Sequence, residues 1–583
     1  MATLAVPVNL QIPFTLGIPE ILENIFEYCH DQDNRRNNVL VCKTWLEPCL
    51  NVIWRESYDL TNLVRLLGPT MTHGLVMEFV QTNVPLNWDR FSFYARRVRT
   101  IYQEGQDLQS YPKHALEYIF AHIAYQRPSN ILELCPNLKV LEWCGDTHYH
   151  MTNPSILFMN SSLECYTLNE NKPPPIKLAF VLRAVADRCP NLKHVKLCLQ
   201  QQPDPSYMDI IQGFIQSVKV LHSVDLPPFA DMTPIISTLR DYQPHLRELR
   251  IQGCHTVDDR VDKACITSLA LPSPCSNSLA SLTLIDIVAP YTLVTELIEN
   301  GLPLLQQAFV TSDFRKVETP SAVKRLMESL AKGCPRINYV CLSYDYYRYT
   351  PLPPSSYTVS VDHIRPLLKC TKMQNFTFKY PFPLTLDDQS AEEIASSWPE
   401  ILQLQLCHSP SAGPGRNIKN CFTLRALLSF ARHCPRITHL SLFLFTKSNT
   451  FPTLADIQTL PKAFFSKLQI LDVGSSDMLK RDRHQIAQTL YRILPATAIL
   501  QFDIDGSVEG GDDEDEEENE YIPLGTVGWR SLVHMISYVR WMDETTSPEQ
   551  RNLQSRIQEV EAENARLRTQ IRSLHADSEG IIA

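Results

Sequence analysis

The sequence predicts an α/β repeat solenoid, with one helix and one strand per repeat, between a small helical module and a C-terminal coiled-coil helix. Three observations predict this fold class. One apolar pattern recurs between residues 95 and 505, amphipathic helical stripes occupy residues 18–55, and a heptad seam runs through residues 547–575. At 583 residues the chain is longer than one hydrophobic core usually supports, which also favours a repeat array.

The apolar pattern has hydrophobic residues at positions i, i+3 and i+5. It is clearest after four Cys-Pro steps, as in Cys135-Pro136 before Leu138, Leu141 and Trp143. Counting weaker matches, it starts fourteen times. The starts are Val98, Leu138, Leu163, Leu192, Leu221, Leu246, Leu279, Leu304, Ile337, Met373, Ile401, Ile437, Leu468 and Ile499.

This spacing places an apolar turn residue before two residues on one face of a short strand, because strand side chains alternate. Residues 180–186 and 424–431 have helical spacing, and the prolines that follow end those helices. Stacked units of this kind form a leucine-rich-repeat horseshoe with a parallel sheet along its concave face. The solenoid is expected over residues 95–505, after a helical linker at 57–94.

Strand positions i+4 should face the concave side, where a client protein would bind. The candidate client-binding residues at this position are Glu142, Lys196, Arg250, Gln405 and Asp472. Their chemistry is mixed, and a solvated repeat face would look the same. The sequence therefore leaves the client unassigned.

The N-terminal helical stripes begin with apolar residues at Ile18, Ile21, Leu22, Ile25 and Phe26. Pro19 suits a first helical turn, where its missing N–H costs nothing. A second stripe covers residues 39–46, and a third short helix is expected near residues 52–55. The whole unit spans about 40 residues, too few to bury a good core, so it needs a partner surface.

Three segments carry a family resemblance: Ile-Pro-Glu-Ile-Leu at 18–22, Val-Cys-Lys-Thr-Trp at 41–45 and Ile-Trp-Arg at 53–55. Together they resemble an F-box over residues 15–56. The resemblance implies docking onto a Skp-type adaptor, which links the chain to a cullin. The residues it implies for adaptor binding are Ile18, Pro19, Ile21, Leu22, Ile25, Phe26, Val41, Cys42, Trp45 and Trp54. The alternative is that these helices only cap the repeat array.

Residues 506–521 combine glycines with acids, and Asp512 to Glu520 holds eight carboxylates. Such a composition predicts a disordered insertion that is either a solvated loop or a site for a basic partner. The formal charge is -10, so the rest of the chain sums to about -2 and offers no electrostatic case for nucleic acid. Residues 522–545 return to helical spacing and are expected to cap the solenoid.

Residues 547–575 predict a coiled coil whose seam alternates by four and three residues. The seam consists of Leu553, Ile557, Val560, Asn564, Leu567, Ile571 and Leu574. Asn564 at an a position favours a parallel pair, so this segment is predicted to form a homodimer. The alternatives are an amphipathic helix folded back on the solenoid and a disordered tail.

The 17 cysteines lack the dense spacing of a secreted disulfide scaffold and predict buried thiols in a reducing compartment. The Cys-Pro cysteines occur one per repeat, and Cys144, His148 and His150 have no fourth ligand nearby, so no metal or other cofactor is expected. No signal peptide, membrane span or membrane partner is expected, and the default location is cytoplasm or nucleus.

No phosphate-binding loop, nucleophile elbow or paired zinc spacing is found, so the chain is expected to be non-catalytic. The leading hypothesis is a substrate-recognition subunit of an SCF ubiquitin ligase. The competing one is a leucine-rich-repeat scaffold that acts without a ligase. A cap would bury Ile21, Phe26 and Trp45 against the first repeat, whereas a docking module would leave an apolar patch exposed.

Overall fold

The computed structural model forms two compact units, Met1–Tyr347 and Arg348–Ala583, called the first and second unit below. It describes residues 18–29, 37–73, 76–81, 84–103, 117–145, 153–170, 173–199, 203–252, 266–269, 278–299, 301–312, 317–344, 357–410, 421–446, 451–458, 464–478, 482–502, 526–545, 556, 560 and 563. Both units are α/β structures in which helices alternate with parallel strands. The predicted α/β repeat fold is confirmed at this level.

The first unit contains ten α-helices. They are α1 (Pro19–Glu27), α2 (Lys43–Ile53), α3 (Leu60–Val64), α4 (Trp88–Ala95), α5 (Glu117–Gln126), α6 (Pro175–Arg188), α7 (Ser206–Ser217), α8 (Thr233–Tyr242), α9 (Tyr291–Glu299) and α10 (Pro320–Gly333), counted over its described residues. Several helices begin where a side chain caps the free N–H groups of the first turn. Thr319, for example, accepts a hydrogen bond from Ala322 N at 3.2 Å.

Ten strands of the first unit form one parallel sheet. Its order is β1 (Glu56–Ser57), β4 (Thr100–Gln103), β5 (Val140–Gly145), β6 (Cys165–Glu170), β7 (His194–Leu199), β8 (Ser223–Leu226), β9 (Glu248–Ile251), β10 (Leu284–Val288), β11 (Gln307–Ser312) and β12 (Tyr339–Tyr344). Strands β2 (Thr70–His73) and β3 (Val76–Phe79) pair antiparallel as a separate hairpin. The segment 57–94, expected to be a helical linker, therefore also contains β-structure.

The second unit repeats the same alternation. Its helices are α11 (Val361–Ile364), α12 (Asp388–Ser397), α13 (Ala426–His433), α14 (Leu454–Gln458), α15 (Arg483–Ile493) and α16 (Thr526–Thr545). The strands β13 (Asn375–Phe378), β14 (Gln403–Leu406), β15 (His439–Leu442), β17 (Ile470–Asp472) and β19 (Ile499–Gln501) pair in this order, all parallel. Strands β16 (Phe445–Thr446) and β18 (Asp477–Met478) form a second parallel pair.

The Cys-Pro steps mark the passage from helix to strand, as the sequence predicted. Helix α10 ends at Gly333, Cys334 follows as a fully buried residue, and β12 begins at Tyr339. In most strands of the two sheets, as in β7 and β12, alternate residues are buried and the residues between them are more exposed. In β8 all four residues are buried. This alternation defines the open face of each sheet, which carries the residues between the buried ones.

Three repeat starts were predicted in the wrong register. The pattern placed one start at Leu279, which is buried, but Ile285 pairs with Leu249, and this register makes Leu282 the start. Another was placed at Leu304, whereas Leu305 is buried and precedes β11. The third was placed at Ile499, which is 59% exposed and pairs with Ile470, two residues after the start at Leu468. Neighbouring apolar residues offered more than one register at each point, and pairing with the adjacent repeats selects one of them.

Helix α16 packs against α15 at the end of the second unit. Trp529 and Leu532 are fully buried, and Trp529 Nε1 donates a hydrogen bond to the Ser476 carbonyl oxygen at 2.8 Å. The predicted acidic insertion and most of the predicted coiled coil lie outside the described residues. Arg556, Val560 and Glu563 are described as helical and exposed. No helix in the described part of the chain is long and apolar enough to span a membrane.

Candidate functional site

The N-terminal module, residues 18–57, is built around a small hydrophobic cluster between α1 and α2. Leu22 and Phe26 of α1 are buried against Cys49 and Val52 of α2. Trp45 packs on this cluster from its edge, with its ring centroid 5.3 Å from that of Phe26 in a T-shaped arrangement. Leu22 and Phe26, which the F-box resemblance implied for adaptor binding, therefore form the interior of the module.

The outer side of the same helices is apolar and open to solvent. Ile21 and Ile25, one helical turn apart on α1, are 37% and 42% exposed, and Val41 before α2 is 58% exposed. Leu40 and Leu46 are also exposed. We call Ile21, Ile25 and Val41 the apolar docking patch. A helix whose only role was to cap the first repeat would bury such residues.

The other residues implied for adaptor binding belong neither to the buried cluster nor to the apolar docking patch. Pro19 is exposed at the start of α1, while Ile18 and Cys42 are partly buried at the N-caps of α1 and α2. Trp54 turns toward the repeats and stacks against Tyr94, with ring centroids 4.8 Å apart. Trp54 therefore belongs to the join between module and sheet.

The N-terminal module is connected to the parallel sheet of the first unit by backbone hydrogen bonds. Strand β1 pairs with β4, and the Arg55 carbonyl oxygen accepts hydrogen bonds from Arg99 N at 2.8 Å and Thr100 N at 3.0 Å. The Arg55 guanidinium forms ion pairs with Glu23 and Glu27 of α1. Buried Arg97 reaches Glu47 of α2. The module is thereby held on the first unit by backbone and side-chain contacts.

On the open face of the first unit, three predicted client-binding residues share one register row. Glu142 on β5, Lys196 on β7 and Arg250 on β9 align across the sheet. Sequence reasoning missed two acids of this row, Asp225 on β8 and Asp286 on β10. Asp225 lies four residues after the predicted start at Leu221, so the sequence pattern could have identified it. Asp286 was missed because the start of its repeat was placed at Leu279 and not at Leu282.

The row is electrostatically coupled. Lys196 Nζ lies 3.8 Å from Asp225 Oδ2, and Arg250 Nη1 bonds Glu248 Oε2 at 2.8 Å. Burial raises the pKa of the Asp225 carboxyl to about 6, although the charges of Lys196 and Arg250 oppose this shift. The open face of the first unit is therefore a surface of alternating charge rather than a patch of one sign.

The second unit brings its two predicted client-binding residues to one histidine. Gln405 of β14 and Asp472 of β17 lie in one register row, two strands apart. His408 contacts both, with Nδ1 3.0 Å from Gln405 Nε2 and Nε2 3.3 Å from Asp472 Oδ2. His408 was not predicted, because it follows β14 after Cys407, whose left-handed backbone (φ 42°) has no sequence signal.

Of the fourteen described cysteines, seven are buried, as the sequence predicted, and seven are partly exposed. Cys135, Cys189 and Cys434 are buried, and burial raises the pKa of each thiol to about 12. Cys144 is partly exposed in β5, while His148 and His150 lie outside the described residues. Among the described residues no three His, Cys, Asp or Glu side chains are placed to hold a metal ion.

Comparison with known proteins gives little more. No family model and no curated protein matches the sequence. Among solved structures, this chain is similar to one in the crystal structure of the Rad7 and Elc1 complex in yeast, with 14% sequence identity and a TM-score of 0.34. The match covers 66% of this chain and 87% of that one. A likeness this loose carries no functional assignment.

Proposed function

We propose that this chain is the non-catalytic substrate-recognition subunit of an SCF, or cullin-RING, ubiquitin ligase. The N-terminal module docks onto a Skp-type adaptor bound to a cullin, and the open face of the repeats holds a client protein. Ubiquitin transfer is then accelerated because the client is held close to the catalytic partners. The protein acts in the cytoplasm or the nucleus.

One observation carries this proposal: the N-terminal module keeps an apolar surface free while satisfying its own core. Leu22 and Phe26 fill the interior, whereas the apolar docking patch of Ile21, Ile25 and Val41 stays exposed. A module of this size gains stability from a partner surface. The F-box resemblance of residues 15–56 supplies the class of that partner.

Homodimerisation through residues 547–575 is part of the proposal. Val560, a predicted d position, is 57% exposed in the single chain. A second copy would cover this side chain, and two client-binding faces would increase avidity for a multivalent client.

The test compares two pairs of exposed apolar residues with the same helical spacing. Ile21→Asp/Ile25→Asp alters the docking patch, and Ile176→Asp/Phe180→Asp alters α6, where those side chains are 69% and 60% exposed. Purified full-length chains are titrated with a Skp-type adaptor in complex with cullin. The first pair should weaken adaptor binding by at least about 2 kcal/mol, whereas the second should leave it unchanged.

None of the four side chains lies in the buried core, so both variants should remain folded, and thermal unfolding checks this. Loss of binding in the docking-patch variant alone supports the ligase subunit. Absence of wild-type binding, or equal losses in both variants, rules out the docking patch and leaves the scaffold hypothesis.

A further inference from the structure

One row of residues at the amino ends of the first unit's strands is dominated by cations. Its members are hydrogen-bonded neighbours across the sheet. The backbone N–H of each donates to the carbonyl oxygen of the one before, at 2.7 to 2.9 Å. The row runs Arg99, Lys139, Glu164, Lys193, His222 and Arg247. We call it the basic rim.

From Lys139 to Arg247, neighbouring side chains of the basic rim interact with one another. Glu164 accepts from both Lys139 and, at 2.9 Å, Lys193. These two hydrogen bonds hold the pKa of the Glu164 carboxyl down at about 2. Further along, burial lowers the pKa of His222, and the nearby charges of Arg247 and Lys193 lower it further. The cations are therefore close enough to act together.

The basic rim remains accessible. Lys139 and Lys193 are 50% and 43% exposed at their side chains, and Arg247 is exposed. With His222 neutral, the row contains four cations and one carboxylate, so it carries an excess of positive charge on a protein whose formal charge is -10. The excess positive charge is not explained by folding stability, because exposed ion pairs contribute only about 0 to 1 kcal/mol to the free energy of unfolding.

We propose that the basic rim binds an acidic peptide segment of a partner, which lies in extended form across the amino ends of β4 to β9. Parallel strands lie about 4.8 Å apart, so the rim spans about 24 Å, the length of roughly seven extended residues. As a client-binding site the rim rests on the proposed function. The binding event itself needs no adaptor.

The neighbouring residues favour a narrow anionic ligand over a broad one. Glu142, Asp225, Glu248 and Asp286 lie on the adjoining open face. A nucleic acid would bring phosphates over these carboxylates, at a cost in like-charge repulsion. An extended peptide can keep its carboxylates on the rim. Lys196 and Arg250 offset only part of this negative charge, because two cations stand among four carboxylates.

The experiment measures binding of a fluorescein-labelled peptide of about seven residues, rich in glutamate, to the full-length chain by anisotropy, beside the same peptide with glutamine for glutamate. The acidic peptide alone should bind, and less tightly at high salt. Lys139→Gln/Arg247→Gln should weaken binding about tenfold. Glu164→Gln should instead tighten it by about threefold, because it removes the row's only carboxylate.

The matched control is Arg183→Gln/Lys324→Gln, which removes the same charge from exposed positions on α6 and α10. Thermal unfolding of every variant shows whether it is folded. Equal losses in control and rim variants, no effect of Glu164→Gln, or no binding of the acidic peptide overturns the inference. So does equally tight binding of a single-stranded oligonucleotide that the rim substitutions weaken by the same factor.

Adaptor binding is measured separately on the same variants. A chain that binds the adaptor but not the peptide overturns the basic rim and leaves the proposed function intact. A chain that binds the peptide at the basic rim but binds no adaptor supports the peptide-binding proposal and overturns the proposed role in a ubiquitin ligase.

Discussion

The two units differ in the side chains that they place at one equivalent backbone position, the residue just before each strand. In the second unit the ladder that corresponds to the basic rim runs through Gln374, Leu402, Thr438 and Gln469, with N–H to carbonyl distances of 2.7 to 2.8 Å. None of these four residues is charged. The hydrogen bonds are the same, so the position itself does not require cations. The same ladder also continues within the first unit through the uncharged Thr283, Gln306 and Asn338. The cations of the basic rim are therefore not needed for the ladder hydrogen bonds.

The first unit also contains a buried ion pair, whose charges, unlike those of the basic rim, are needed for stability. Lys177 Nζ lies 3.0 Å from Glu170 Oε1, and both side chains are almost completely buried. Asn153 Nδ2 donates to the same Glu170 oxygen at 3.0 Å. Buried charges depend on their partners, whereas exposed ones can be replaced at little cost. The first unit therefore has charges that hold its structure and charges that do not.

The largest effect is expected when the buried pair is broken. Lys177→Met leaves the Glu170 carboxylate buried without its cation and should destabilise the protein by about 3 kcal/mol. Urea unfolding measures this loss, with Lys324→Met on the exposed face of α10 as the control. The double variant Glu170→Gln/Lys177→Met should recover part of the stability. A loss no greater than in the control would mean that the pair is solvated.

The next largest effect on stability is expected at Gly474, and the opposite effect is expected at Gly213. Gly474, in the second unit, has a left-handed backbone (φ 47°), and an added Cβ would clash with the His408 carbonyl oxygen. Gly474→Ala should destabilise by about 2 kcal/mol or more. Gly213 in the middle of α7 has open space around it, so Gly213→Ala should stabilise by roughly 0.5 to 1 kcal/mol. Thermal unfolding measures both, and shifts of the same sign would contradict the assigned backbone geometry.

Asp225 should give the open face of the first unit a pH dependence. Burial raises its pKa from 3.8 to about 6, so between these values the folded protein holds a proton that the unfolded chain has released. Stability therefore falls as pH rises through this range, by roughly 1 to 2 kcal/mol. Asp225→Asn should remove that fall in urea unfolding at several pH values. An unchanged slope would show that Lys196 and Arg250 fully compensate the charge.

The smallest effects are expected at the row where the two units differ. Arg247→Gln in the basic rim and Gln469→Lys at the matching position of the second unit should each change stability by less than about 0.5 kcal/mol. Both side chains are exposed, and neither substitution alters the ladder bonds. Unfolding midpoints test this directly. A large loss for Arg247→Gln would assign the rim cations a structural role.

Much of the repeat architecture was predictable because buried positions alternate with exposed ones. Leu141 and Trp143 of β5 are both buried, and the helix that precedes a Cys-Pro step ends where the proline requires. Register was predictable only where one leucine stood alone. At Leu279 and Leu282 two choices had equal hydrophobicity, and only contact with adjacent repeats decides between them.

The N-terminal module shows a second limit. One apolar stripe contains Ile21, Leu22, Ile25 and Phe26, and its period cannot tell which two face inward. The packing of α2 decides this, placing Leu22 and Phe26 inside. Likewise, the contact between His408 and Asp472 joins the ends of two separate strands, and no local pattern announces it. Sites formed between repeats thus require the structure.

The pairing of β1 with β4 has a practical consequence. Residues 55–57 lie along the outer side of β4, where the Arg55 carbonyl oxygen accepts hydrogen bonds from Arg99 N and Thr100 N. A truncation that removes the first 57 residues would turn β4 into a bare edge able to recruit a strand from another molecule. Shortened chains would then aggregate for reasons unrelated to any lost partner, and point substitutions on α1 are the cleaner tool.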